Sequence, residues 1–324
     1  MRTIALLLCA ALAACGTETS TADAIRSALP TGDALRIDAP DPGASSSLTF
    51  GGADAAMTQD GRSELAVLSY VFASAVNWGV ASTLVHVHLV TLLPPTSCVE
   101  NVSCVWGPGS SATDLNDWML LVTKDGPRYA WVLSGNPKST PADDWVEVLS
   151  GVAFPGSRRG HGRGSFTADF DAFATLDQPP GSEREYGTMT ASYDAEGPLS
   201  IQVVWLGGKN RDDPGDPANP NRADAVYDFD AASRDLVVAW RALPVDTGSA
   251  VVTLHTRWQQ SGAGRSDVRA QHNPLTYEES ECWDGAPSFL QTYDSWDSTT
   301  EESVGDPDAC VFPQAEFADF PPLP

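Results

Sequence analysis

Positive charge is scarce in this sequence. Lys and Arg together number 19 against 43 Asp and Glu, a formal charge of −24 at pH 7. Such a chain repels phosphate backbones, which speaks against nucleic acid as a partner, and the acidity itself serves solubility. Recognisable catalytic patterns are absent as well. There is no Gly-x-Ser-x-Gly elbow and no His-Glu-x-x-His pair, and the basic run Arg158–Gly164 (RRGHGRG) lacks the order of a phosphate-binding loop. The sequence therefore names no reaction and implies no cofactor. Also missing is any Asp, Glu, Lys or Arg between Leu65 and Leu93, the longest apolar stretch in the chain.

What is present begins at the N-terminus. One charge, on Arg2, precedes the apolar run Ile4–Ala14. Eleven residues make about 16 Å of helix, too short to cross a hydrocarbon core of roughly 30 Å. The run has the form of a cleaved export signal. It closes on Leu12-Ala13-Ala14-Cys15: an aliphatic residue, two small ones that admit a peptidase, and a thiol able to take a diacylglyceryl group. Cys9 follows Leu8, which is not small, and fits poorly. The four residues resemble the lipobox of bacterial lipoproteins. That resemblance implies cleavage before Cys15, lipidation of Cys15, and membrane anchoring by several acyl chains, which would be effectively permanent. Gly16 in the next position resembles lipoproteins sent to the outer membrane.

Removing Cys9 with the signal and lipidating Cys15 leaves Cys98, Cys104, Cys282 and Cys310. An even number in an exported chain suggests disulfides, with three possible connectivities, of which the local one joins Cys98 to Cys104 and Cys282 to Cys310. The spacings match no zinc template.

Composition divides the rest: residues 1–14 as signal peptide, 15–61 as a lipidated N-terminus and flexible tether, and 62–324 as a single β-rich domain. The tether is rich in Thr, Ser, Ala, Asp, Gly and Pro and buries too little apolar surface to order itself, although Ala34–Ile37 could dock as a short strand. The uncharged stretch reads as a helix over about 63–93, enclosed by protein rather than lipid. Scattered polar residues such as Ser69 and Asn77, and the absence of following basic residues, argue against a span. Val85–Val90 alternates and leaves a strand open there. Beyond Cys104 the pattern has period two, with strands expected at 117–123, 128–133, 145–152, 165–171, 187–193, 200–206, 225–229, 236–241, 250–258 and 266–271. Asp125-Gly126 marks a hairpin between the first two.

The expected fold is mainly β: an antiparallel meander forming a curved sheet, half-barrel or barrel around one long apolar helix. This layout resembles uncharacterised envelope lipoproteins and, more loosely, the carrier proteins of lipoprotein sorting, which would imply an apolar or lipid ligand. Several features invite a site. His86 and His88 would share a face on a strand but lie about 200° apart on a helix, and no third metal ligand stands near. Asp212, Asp213, Asp216, Asn219, Asn221 and Asp224 crowd a proline-rich loop that fails the EF-hand spacing. Trp118, Trp131, Trp145, Trp205, Trp240 and Trp258 fall one to a strand and suit a core more readily than a ligand platform. The functional expectation is a cell-envelope structural or binding module without catalytic activity. Alternatives are a carrier of lipid or another apolar ligand and, third, an enzyme with an unrecognised site. The sequence names no protein partner.

Overall fold

A computed structural model describes residues 16–42, 61–111, 113–139, 144–178, 185–209, 222–243, 250–272, 274–296 and 302–323. The chain is mainly β. Fifteen strands follow one another in sequence order through one antiparallel meander sheet. They are β1 (Ser97–Val99), β2 (Ser103–Gly109), β3 (Asn116–Asp125), β4 (Arg128–Pro137), β5 (Val146–Arg158), β6 (His161–Asp169), β7 (Thr188–Asp194), β8 (Ser200–Lys209), β9 (Arg222–Asp230), β10 (Asp235–Leu243), β11 (Val251–Trp258), β12 (Gly264–His272), β13 (Leu275–Trp283), β14 (Gln291–Trp296) and β15 (Glu302–Gly305). The sheet is open, because β1 pairs only with β2 and β15 only with β14 among the described residues. The barrel form of the expectation is thereby set aside. Among the described residues three α-helices accompany the strands: α1 (Gly16–Ala28), α2 (Glu64–Leu92) and the single turn α3 (Phe170–Phe173).

Two compact units divide the chain. The first comprises residues 1–35, 80–184 and 192–197; the second comprises 36–79, 185–191 and 198–324. In the first unit the expected hairpin forms, with Asp125 opposite Arg128 and Gly126 at a φ of 60°, a left-handed position that glycine adopts without strain. Alternation then puts Leu120, Val122, Trp131, Leu133 and Phe166 inside, each 0–1% exposed, while Leu121 between the first two faces out. The strand expected through Asp171 stops at Asp169. That side chain accepts the Ala172 amide at 2.8 Å and caps α3, which takes Phe170 out of the strand.

Residues 16–42 differ from the expected tether. Residues 16–28 form α1, and Ala22, Ile25, Ala28 and Leu29 make a buried helical stripe at spacings of three, three and one. Arg26 fastens the end of α1, donating to the carbonyls of Thr91 at 2.8 Å and Leu93 at 2.9 Å while lying over the Trp106 ring. Gly32 allows the following turn to pass α2 closely, since a Cβ there would meet the Ala81 Cβ at 2.9 Å. The basic run is also not free: β5 and β6 pair through Arg158 and His161, and the Gly160 amide donates to Ser27 of α1.

In the second unit Leu35 of the first gives way in sequence to Ile37, which is buried and exchanges two hydrogen bonds with the Asn77 side chain of α2, at 2.7 and 2.9 Å; no strand forms at 34–37. The N-terminus of α2 is held by Glu281 of β13, whose carboxylate oxygens accept the amides of Leu65 at 2.7 Å and Glu64 at 3.2 Å. One turn on, the Ser69 hydroxyl meets Thr256 and Ser266 on the facing strands. Residues of β11 and β12 are buried in both alternating sets, contrary to a sheet dry on one side and wet on the other. The second cover is the C-terminal segment, residues 311–323, which has no regular structure and lies along the face bearing Thr253, His255 and Arg257.

Candidate functional site: an uncharged surface on helix α2

Helix α2 is a continuous helix through residues 85–90, so the alternative strand does not form. It is long and apolar enough to cross a membrane by length and composition. Its inward side nevertheless belongs to the protein core: within the first unit Val80, Leu84 and Val87 are only 1–2% exposed. Enclosure is incomplete, contrary to a helix covered on most sides. Val85, Leu89 and Leu92 recur at helical spacing and are 41–63% exposed, and Leu93 beyond them is 62% exposed. Contiguous exposed apolar side chains without interspersed charge mark an interaction surface.

The location of this surface follows from α1. Arg26 ties the last turn of α1 to the last carbonyls of α2, beside Leu92 and Leu93. Position 15 immediately precedes α1, whose 13 residues span about 20 Å at 1.5 Å per residue. Leu12, Ala13, Ala14 and Cys15 themselves lie outside the described residues.

Other candidates resolve differently. His86 is half-buried and packs against Trp118 and Phe173, with ring centroids at 5.3 and 5.8 Å, whereas His88 is exposed. Burial holds the His86 pKa below its ordinary value, against opposing hydrogen bonds to the Ser82 and Thr83 backbone. On a helix the two rings diverge, and no group of three or more His, Cys, Asp or Glu among the described residues is placed to hold a metal ion. Of the acidic loop only Asp224 is described, and it serves the fold by accepting from Arg241 at 2.8 and 2.9 Å and from the Gly207 amide. The tryptophans are mostly packing groups. Trp131 is 1% exposed, Trp258 stacks on Phe229 at 5.9 Å, and Trp205 donates to the Tyr186 carbonyl. Cys98 and Cys104 are paired, as are Cys282 and Cys310, with sulfurs 2.06 and 2.15 Å apart.

No family model, curated protein or solved structure matches the chain.

Sequence reading missed the strongest polar cluster. On β11–β13, Asp267 is fully buried and accepts from Arg265 at 2.8 Å, Arg257 at 3.1 Å, Ser280 at 2.6 Å and the Glu316 amide at 3.0 Å. His255 beside it faces two acceptors, the Glu316 carbonyl at Nδ1 and Asp235 at Nε2, each 2.9 Å away. Satisfying both requires the doubly protonated ring. Burial alone would lower the His255 pKa, but the Asp235 hydrogen bond and charge, with the Glu316 carbonyl, raise it overall. The readable sign was the alternation Arg265, Asp267, Arg269, which puts three charges on one face of one strand.

Proposed function

We propose that this chain is a lipoprotein of the bacterial cell envelope, anchored through Cys15 in the outer membrane, whose β body is a non-enzymatic structural or binding module held close to the lipid surface. The observation that carries the reading is the exposed, uncharged end of α2 at Leu89, Leu92 and Leu93, tied by Arg26 to the helix that follows Cys15. In a chain of charge −24, a surface free of charge beside an acyl anchor suits a body resting on lipid. A carrier would keep an apolar space beneath a movable helix; Val80, Leu84 and Val87 instead fill the inner side of α2, which supports the module.

Fractionation tests both parts. Cys15→Ser should move the protein from the membrane to the soluble fraction. Replacing Leu89, Leu92 and Leu93 with Gln in the lipidated chain should leave it in the membrane fraction but make the β body more open to an added protease. Membrane sedimentation of the Cys15→Ser protein equal to wild type would overturn the anchor.

A further inference from the structure

We propose that the face of the second unit formed by β8–β12 is a binding surface for an extended, acidic, phenylalanine-bearing peptide of a partner protein, and that residues 311–323 are its tethered, displaceable occupant. This inference does not depend on the lipid anchor.

The C-terminal segment is held as a bound peptide is held. It adds no strand to the sheet, because β11, β12 and β13 already pair with one another along their length. Side chains of the sheet grip its backbone carbonyls instead. Arg265 donates to Phe312 and Pro313, Arg257 to Gln314, His255 to Glu316 and Thr253 to Ala318. Carbonyls are common to every residue, so this part of the grip accepts many sequences.

Selectivity comes from the arginines. Arg257 lies over Phe312 at 5.2 Å, Arg269 over Phe317 at 5.2 Å and Arg241 over Phe320 at 4.8 Å, so each guanidinium offers its flat face to a ring. Two of them also take a carboxylate from the segment, Arg257 from Glu316 and Arg269 from Asp319. Phe320 and Leu323 complete the contact by packing on the apolar group Val204, Val226 and Ala239. The partner motif is therefore three phenylalanines at spacings of five and three with acidic residues between them.

The segment itself is lightly buried. None of residues 311–323 falls in the buried class, although Cys310 at its root is buried and bonded to Cys282 on β13. The disulfide fixes the root, so the proposed displacement concerns only the residues beyond it. A tethered occupant acts at a high effective concentration and masks a free peptide of equal chemistry.

The experiment uses the full chain and a fluorescent peptide with the sequence of residues 311–324. Anisotropy titration should show weak binding to wild type and at least tenfold tighter binding to Phe317→Ala/Phe320→Ala protein, whose own segment grips less well while the face is unchanged. A peptide with all three phenylalanines replaced by alanine should bind neither. Equal affinity for the two proteins would overturn the proposal. In case the double variant folds poorly, hydrogen exchange on wild type gives a second reading: saturating free peptide should speed exchange of the Glu316 amide, and unchanged exchange overturns displacement. A wild-type dimer in sedimentation that the double variant abolishes would assign the face to a second copy and overturn the partner-protein reading.

Discussion

Asp294 and Glu281 lie opposite one another on β14 and β13, and both are carboxyl groups in positions poor for charge. Burial, then the neighbouring charge of Glu279 and Glu64, pushes the Asp294 pKa up to about 6, against an opposing hydrogen bond from Gln291. Its Oδ1 atom is buried with no hydrogen-bond partner among the described residues. Burial pushes Glu281 up to about 7, opposed by the Leu65 and Glu64 amides and the Ser63 hydroxyl. For both groups the folded pKa exceeds the unfolded one, so the folded state holds protons that the unfolded state has already released. Their contribution to stability is full below the unfolded pKa, near pH 4, and is lost as pH rises through 6 and 7. Asp294→Asn removes part of this slope. The rise of the Asp294 pKa to about 6 corresponds to ~3 kcal/mol at face value. Because Asp294 is only partly buried, solvent screening reduces the expected gain to about 1–2 kcal/mol at pH 8, with little difference at pH 4. Urea denaturation of the two proteins at both pH values measures it, and equal midpoints at pH 8 would contradict the assignment.

Elements were legible where two local signals agreed. The hairpin of β3 and β4 combined alternating apolar residues with Asp125-Gly126, and the ends of α2 coincided with the uncharged stretch and the following Pro94-Pro95. β13 was missed because Leu275–Trp283 carries three glutamates, and only the tertiary cover of β11–β13 makes such a strand part of a core. Helix α1 was missed for a related reason. Its Thr and Ser residues favour turns and caps, and the narrow stripe of Ala22, Ile25 and Ala28 becomes decisive only where tertiary neighbours, β5 foremost, provide a surface. Arg26 is the main polar tie of this helix, so Arg26→Ala should cost about 1–3 kcal/mol, the range for charged hydrogen bonds left unmade at partly buried carbonyls. The change should appear locally. Hydrogen exchange is expected to quicken across residues 16–28 with little effect on β3 and β4, and unchanged exchange there would show that apolar packing alone holds α1.

At the scale of the whole chain, a meander joins each strand to its sequence neighbour, which is why so much of the order could be read locally and why few connections need covalent help. The two cysteine pairs are both local, yet they close loops of different length. Cys98 and Cys104 are six residues apart and directly opposed across β1 and β2, whereas Cys282 and Cys310 are 28 apart and enclose β14 and β15. Chain-entropy arguments assign about 2 kcal/mol to the shorter loop and about 4 kcal/mol to the longer. The second pair also fixes the root of the C-terminal segment, so its loss should do more than destabilise. Cys282→Ser/Cys310→Ser is expected to lower the denaturation midpoint more than Cys98→Ser/Cys104→Ser and, unlike it, to speed exchange at the Glu316 amide. A larger loss from the first pair would mean that the unfolded chain is not the main state on which these bonds act. Loss of the second pair without faster exchange would mean that the grip of Arg257, Arg265 and His255 holds the segment without its tether.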